Sequence, residues 1–301
     1  MELIPVEIVV VGHLSRDLII TPEAERESLG GAPAYAMIAP SIGALGAGIV
    51  TRIGTDFEQS YLDDLHDGGL DLTGLRTSQG SSTRFVNIYD EKGNRTQRVS
   101  SLAPPIHGYD YLPRHLGASI FHFAPLTSEE IHISCIETAK SSGALVSLDV
   151  QGYLREVQNE EVLLTPWDYP DEVLRFVDIV KAEETELEYL SDAKTEVSAI
   201  SRIVSLGPRI VIITRSQKGS TIYTRNNHVD IPLVLANKFV DSTGCGDVYS
   251  ISFLLEYMRT GDVGKAGLFG ATCASFNLET QGPYNLPTRD QVEERMKPYH
   301  A

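Results

Sequence analysis

The segment 241–247, DSTGCGD, combines two carboxylates with small residues just before an apolar helical pattern. Gly244 and Gly246 permit a tight turn and close approach of a ligand, because neither carries a Cβ atom. The N–H groups of 244–247 are then expected to be free to bind an anion at the start of the helix. Asp247 at the mouth of this anion hole is placed to accept the proton of an attacking hydroxyl. The segment predicts phosphoryl transfer to an alcohol, a reaction that depends on positioning and charge stabilisation.

The chain has 301 residues and a formal net charge of −16, and its composition is that of a globular protein. Its acidity argues against nucleic acid and against an anionic membrane surface as partners. The apolar N-terminal run contains Glu7 and is short, so it predicts a buried strand and neither a signal peptide nor a membrane span. Three cysteines without a CxxC pair predict no metal site and fit a reducing compartment, so we expect a cytoplasmic protein.

Six short apolar runs rich in Val and Ile recur along the chain and are typical of strands buried on both faces of a parallel sheet. They are IVVVG, GIVTRIG, SIFHFA, ALVSLDV, VDIVKA and RIVIITR. Helix-like stretches lie between them, and TSEE at 127–130 offers a capping residue for one of these helices. This alternation predicts an α/β fold with a doubly wound, mostly parallel sheet.

Two segments, 12–29 and 80–102, alternate polar and apolar residues instead, and DEKGNR at 90–95 is typical of a hairpin turn. They predict a small antiparallel sheet beside the main one. Because the sequence contains no repeat, low-complexity tract or linker, we expect a single domain over 1–301.

Four motifs, in order, resemble the signatures of the PfkB (ribokinase-like) carbohydrate kinase family. DSTGCGD resembles the C-terminal signature D-T-x-G-A-G-D, and LGGAPAYAMIAPSIGALGAGIVTRIGTD resembles the N-terminal di-glycine signature. VKAEETE is similar to the N-x-x-E element, and VIITRSQKGS to the phosphate-side turn T-x-G-x-x-G. The resemblance implies a ribokinase-like fold in which the small β-sheet forms a lid that excludes water from the reaction.

The resemblance also implies roles for individual residues. Asp247 would be the catalytic base, and the backbone of Gly244, Cys245 and Gly246 the anion hole. Asp17, Gly30, Gly31 and Tyr35 would bind the substrate, and Thr214, Ser216 and Gly219 the nucleotide. ATP and Mg²⁺ would be the cofactors, with Glu186 acting on the metal through water. The family resemblance also allows a monovalent cation near Asp241 and a homodimer formed through the lid.

The sequence departs from the family pattern at several of these positions. Tyr35 stands where many sugar kinases of the family have a substrate-binding Asn, Glu183 where Asn is frequent, and Ser216 where Gly is usual. Cys245 replaces the usual Ala, and its place at a helix N-terminus predicts a reactive thiol.

Three local features, GGAPAY, KAEETE and LDVQGYLR, resemble the myo-inositol kinase branch of the family. A cyclitol is expected to lay its C–H face on the ring of Tyr35 while Asp17 binds the hydroxyls at its rim. A ribokinase-type sugar kinase and a nucleoside kinase remain alternatives. So does a catalytically silent, sugar-responsive regulatory protein, in which Asp247 would only stabilise a first helical turn.

Overall fold

Two β-sheets organise residues 6–91, 95–191, 193 and 195–299, which are the residues that the computed structural model describes. Strands and helices are numbered in chain order. Across the larger sheet the described strands are β15 (His228–Ile231), β14 (Ser220–Thr224), β13 (Ile210–Thr214), β12 (Ile179–Glu183), β9 (Leu145–Asp149), β8 (Ile120–Phe123), β1 (Ile8–Val11), β4 (Ala47–Ile53) and β5 (Leu70–Thr77). The run from β13 to β5 is parallel, and β14 and β15 are antiparallel additions at one edge.

The six apolar runs of the sequence form β1, β4, β8, β9, β12 and β13, so these predictions are confirmed. Nearly every residue in these strands is buried, because helices cover both faces of the sheet. The strands β5, β14 and β15 were not predicted. Their sequences carry more polar residues, since β5 and β15 are the edge strands of this sheet.

The smaller sheet, which we call the lid, has the described strands β10 (Arg155–Gln158), β11 (Glu161–Leu164), β7 (Arg95–Ser101), β6 (Arg84–Tyr89), β2 (Ser15–Ile20) and β3 (Glu25–Gly30), in that spatial order. Its pairs are antiparallel except for β2 with β6. Segments 12–29 and 80–102 thus supply most of its strands. A third segment, 155–164, was missed. Part of the predicted turn at 90–95 lies outside the described residues.

The helices are α1 (Ala32–Tyr35), α2 (Ile38–Ser41), α3 (Gln59–Asp67), α4 (Ile133–Ser141), α5 (Pro170–Leu174), α6 (Leu187–Leu190), α7 (Glu196–Leu206), α8 (Cys245–Thr260), α9 (Val263–Asn277) and α10 (Arg289–Met296). Side chains of α1, α2, α8 and α9 pack on one face of the main sheet, and those of α4 and α7 on the other. This is the doubly wound, ribokinase-like α/β arrangement. None of the helices in the described part of the chain has the length and apolar character that a membrane crossing requires.

The predicted cap of α4 is wrong. The helix begins later than TSEE, and the side chain of His132 accepts the N–H of Ser134 as its N-cap. Glu130, the last residue of TSEE, is buried, and its carboxylate accepts the N–H groups of His13 and Leu126 instead. The carboxylate of Glu130 therefore makes tertiary hydrogen bonds and does not lie in the first turn of α4, where the local pattern placed it.

Candidate active site

A cleft of about 400 Å³ opens between the carboxyl ends of the main-sheet strands and the lid. Ligands of open α/β sheets bind at this edge. Among the residues predicted to form the site, Asp17, Gly31, Tyr35, Gly244, Gly246 and Asp247 line the cleft. The fold therefore brings residues from the beginning and the end of the chain to one place.

The segment predicted to form the anion hole lies at the start of α8, where Gly244 has the left-handed conformation with φ of 77°. Among the described residues, none accepts a hydrogen bond from the N–H of Gly244, Gly246 or Asp247. The N–H of Cys245, in contrast, donates to the carbonyl of Ser242 at 3.2 Å. The expectation that all four groups are free is therefore wrong for Cys245, and three N–H donors remain for an anion.

The side chain of Cys245 also differs from expectation. Its thiol donates to the carbonyl of Ala274 and lies 3.4 Å from the amide nitrogen of Asn277. Burial raises the pKa of the Cys245 thiol to about 11, despite its place at a helix N-terminus. The raised pKa argues against the reactive thiol that the sequence predicted, because desolvation outweighs the helix dipole.

Asp247 has the electrostatics of a base that works near neutral pH. Removal from water raises the pKa of Asp247 to about 7, and the Asp149 carboxylate contributes in the same direction. The charges of Lys181 and Arg155 oppose this rise. A carboxylate with this pKa can take a proton from a hydroxyl and later release it to water.

Asp17 lies on β2, nearly buried, on the lid side of the cleft. Gly30 on β3 is paired with Ser15 of β2, and a Cβ there would lie 2.6 Å from both Asp17 Oδ2 and Ser15 Oγ. Gly31 has φ of +85°, and a Cβ there would lie 2.0 Å from the carbonyl oxygen of His13. Gly30 thus leaves room for the side chains of β2, and Gly31 for the backbone of His13.

Tyr35 ends α1 and lines the cleft, but only 1% of its surface is exposed. Its ring packs against the backbone of Gly244. The hydroxyl has no hydrogen-bond partner among the described residues. Burial, followed by the charges of Asp247 and Asp17, raises the pKa of Tyr35 well above its usual value.

The three residues predicted to bind the nucleotide lie beside the cleft and not in its lining. Thr214 ends β13 and is paired with Glu183 of β12. Ser216 has φ of 48° and Gly219 has φ of 82°, so the turn uses left-handed backbone at both positions. The usual Gly at the position of Ser216 is explained by this conformation.

Glu186 is buried below the end of β12, and its Oε2 accepts the N–H of Glu183 at 2.8 Å. Burial raises the pKa of Glu186 to about 7, and the Asp149 carboxylate adds to the effect. No cluster of three or more His, Cys, Asp or Glu side chains in the described part of the chain is arranged to hold a metal. A Mg²⁺ ion that keeps most of its water ligands and binds substrate phosphates does not require such a cluster, and Glu186 is the carboxylate predicted to contact those waters.

Sequence reasoning missed two polar pairs in the lining. Lys181 on β12 donates to Asp149 at the end of β9 at 2.8 Å, and both are buried. On the lid, Gln97 Nε2 donates to Asn87 Oδ1 at 2.9 Å. For Lys181 and Asp149 the available signal was a charged residue at or near the carboxyl end of an apolar strand, the edge where ligands bind.

Residues 121–289 match the model of the pfkB family carbohydrate kinases, and this match covers more than half of the chain. The chain belongs to the pfkB family. The resemblance to the PfkB carbohydrate kinase family is thereby confirmed. Family membership, together with relatives that are named kinases, makes this protein a phosphotransferase whose acceptor is an alcohol group.

This pfkB family member is similar to kinases with different acceptors. A nucleoside kinase of Methanocaldococcus jannaschii is 28% identical, over 97% of each chain. A structure of Arabidopsis thaliana ribokinase with ribose and ATP superposes with a TM-score of 0.81 at 21% identity, covering 98% of this chain and 99% of that one. A structure of a pyrophosphate-dependent kinase in the ribokinase family, complexed with a pyrophosphate analogue and myo-inositol, superposes with a TM-score of 0.79 at 22% identity. The match covers 95% of this chain and 99% of that one. At these identities the two structures show the fold alone.

Proposed function

We propose that this protein is an ATP-dependent kinase that transfers the γ-phosphate to a hydroxyl of a small polyol, with myo-inositol as the best candidate. The observation that carries the proposal is the position of Asp247, beside three open N–H donors and in one cleft with Asp17. The acceptor oxygen attacks phosphorus, its proton passes to Asp247, and the bond from phosphorus to the β–γ bridging oxygen breaks. The phosphoryl group inverts during this in-line transfer.

The donor side of the proposal uses the groups next to this base. Gly244, Gly246 and Asp247 offer their N–H groups to the transferred phosphate. The turn from Thr214 to Gly219 lies beside α8, since Ser220 Oγ and the Tyr249 hydroxyl are 2.8 Å apart. Bound Mg²⁺ would neutralise charge on the donor phosphates, and Glu186 would orient its water ligands.

The polar lining of the cleft supports a polyol acceptor. Asp17, Asn87, Gln97 and Gln151 offer carboxylate and amide groups that suit neighbouring hydroxyls. The aromatic side chains in the lining, Tyr35 and Phe85, are both almost fully buried. Because the ring of Tyr35 lies against Gly244 and its hydroxyl is buried, a cyclitol would not stack on this ring as the sequence suggested.

A nucleoside is the second candidate acceptor. It is favoured by the nucleoside kinase relative, which matches over 97% of both chains, and by a cytidine kinase of Thermococcus kodakarensis at 28% identity. The ribose of a nucleoside would present two adjacent hydroxyls to Asp17, as a sugar or cyclitol does. The base would need a contact surface beyond the buried Tyr35 and Phe85.

Steady-state kinetics on the purified protein tests this proposal. ATP and pyrophosphate are each supplied with myo-inositol, ribose, fructose, cytidine and adenosine, and the phosphorylated product is measured. We expect ATP with myo-inositol to give the highest kcat/KM, and Asp247→Asn to lower turnover by about 10²–10⁴-fold in every combination that the wild type turns over. A tenfold preference for a nucleoside or for ribose would refute the inositol assignment. No product from any pair would favour the silent regulatory protein.

We further propose that two copies associate through the lid. Its edge strands are β10 and β3, and Leu163 and Leu164 on neighbouring β11 are partly exposed. Light scattering of the purified protein should give the mass of a dimer, and Leu163→Glu/Leu164→Glu should give that of a monomer. A wild-type protein of monomer mass at micromolar concentration would refute this.

A further inference from the structure

The Lys181–Asp149 pair is an unusual feature of the cleft, because both charges are buried at the carboxyl edge of the sheet. We propose that Lys181 is a further catalytic residue, whose ammonium group binds the phosphoryl group in transit beside the N–H donors of Gly246 and Asp247. Asp149 is its positioning residue. The inference rests on the proposed kinase function and adds a residue to it.

The first argument is the position of the ammonium group. A Cβ on Gly246 would lie 2.8 Å from Lys181 Nζ, so this nitrogen is next to the first turn of α8. Lys181, Gly246 and Asp247 line the same cleft. An anion held by the N–H groups of this turn is therefore within contact distance of a full positive charge.

The second argument is the number of donors. An ammonium group has three N–H bonds. One of them donates to Asp149 Oδ2 at 2.8 Å, and the other two have no acceptor among the described residues. Asp149 Oδ1 also accepts the N–H of Gln151 at 3.1 Å, which fixes the carboxylate. Asp149 thus accepts one of the three N–H bonds of the Lys181 ammonium group, and the other two remain for a ligand.

The third argument is the charge. Burial alone lowers the pKa of a lysine, but the carboxylates of Asp149, Glu186 and Glu183 raise the pKa of Lys181 above its usual value overall. The ammonium group is therefore charged at neutral pH. A buried ion pair adds little stability compared with an apolar pair of the same size, so stability alone does not explain this one.

The chemistry gives the pair a role. As the acceptor oxygen bonds to phosphorus and the bond to the leaving oxygen breaks, negative charge is distributed over the equatorial oxygens of the phosphoryl group. A fixed ammonium group in a water-poor cleft stabilises that charge without reorganisation. The acceptor proton still goes to Asp247, whose ionised form the charge of Lys181 favours.

The test compares Lys181→Gln, Asp149→Asn and the double variant Asp149→Asn/Lys181→Gln. The single change at Lys181 leaves a buried carboxylate unpaired, so that variant is expected to lose stability. The double variant replaces the ion pair by two amides that can bond to each other. If Lys181 acts on phosphate, the melting temperature of the double variant stays close to that of the wild type. Its kcat falls by about 10²–10³-fold, and its KM for the acceptor stays within about threefold of the wild-type value. Asp149→Asn alone, which keeps the ammonium group, loses less.

Binding of ADP with aluminium fluoride, a mimic of the transferred phosphoryl group, gives a readout that does not depend on the acceptor. In the double variant we expect ADP affinity to stay within about twofold, while the gain in affinity from aluminium fluoride falls at least tenfold. A double variant that keeps kcat within about fivefold, or keeps this gain, overturns the role of Lys181. A wild type that turns over no acceptor and does not bind ADP contradicts the proposed function itself, and this inference falls with it.

Discussion

The ring of Tyr35 lies against the backbone of Gly244, so that a Cβ at residue 244 would come within 2.0 Å of ring atoms Cε1 and Cζ. The left-handed φ of 77° at Gly244 also disfavours any other residue. A side chain from the first helix thus packs on the glycine that begins the proposed anion hole.

Gly244→Ala is expected to destabilise the protein by at least ~1–3 kcal/mol, from backbone strain and the clash with Tyr35, and to reduce kcat. Thermal denaturation and kinetics measure the two effects. In a Tyr35→Ala background the same change at Gly244 should cost less, because the ring is gone. An equal cost in both backgrounds would show that the contact does not matter.

Tyr35→Phe removes a buried hydroxyl that has no partner among the described residues. We expect its melting temperature to equal or exceed that of the wild type, since no hydrogen bond is lost. We also expect kcat/KM to fall less than in Asp17→Ala, which removes the carboxylate proposed to hold two acceptor hydroxyls. A larger loss in Tyr35→Phe would make the phenol the main acceptor contact.

Asp247→Asn should lower kcat by about 10²–10⁴-fold with ATP and acceptor binding nearly intact, the usual scale for a lost general base. The base must be ionised, so wild-type kcat/KM should fall as pH drops below about 7, the pKa of Asp247. Measurements of kcat/KM between pH 5 and 9 would show this decrease on the acidic side. Asp247→Asn turnover within a few-fold of the wild type would refute the assignment.

The same pKa links Asp247 to stability. In the unfolded chain the pKa of an aspartate is about 4, whereas burial in the folded protein raises the pKa of Asp247 to about 7. The folded state binds more protons between these values, so the stability contributed by protonation is present at acidic pH and is lost as pH rises through about 7. Asp247→Asn should therefore raise the melting temperature more at pH 8 than at pH 5. An equal change in melting temperature at pH 5 and at pH 8 would contradict the raised pKa of Asp247.

Cys245 should resist alkylation at neutral pH, because burial raises the pKa of its thiol to about 11. We expect iodoacetamide at pH 7.5 to leave activity unchanged over an hour, and mass spectrometry to find Cys245 unmodified. Cys245→Ala should keep kcat within about threefold. Rapid alkylation with loss of activity, absent in Cys245→Ala, would restore the reactive thiol that the sequence suggested.

Asp241 is already neutralised by the lid, since Arg26 Nη2 donates to its Oδ2 at 2.9 Å. Its other oxygen accepts the N–H and hydroxyl of Thr243. We therefore expect exchange of sodium for potassium to change kcat by less than about twofold. Arg26→Gln should lower activity and create a potassium dependence. Arg84→Gln, which breaks a lid ion pair with Glu27, is the matched control and should do neither.

The sequence by itself determined those strands and turns that are encoded by residues close to one another in the chain. The apolar runs of β1, β4, β8, β9, β12 and β13 and the glycines before Asp247 were readable because periodicity and missing Cβ atoms act within a few residues. The short amphipathic strands β10 and β11 were not, since four residues of alternation are too few to separate a strand from a loop.

Only the tertiary structure decided which groups share the cleft and in what state. Lys181 meets Asp149 because β12 and β9 are neighbours, and Tyr35 meets Gly244 because α1 packs on α8, although both pairs are distant in sequence. Burial raises the pKa of the Cys245 thiol to about 11 and that of the Asp247 carboxyl to about 7. Desolvation depends on everything packed around a group, so no local pattern of residues contains it.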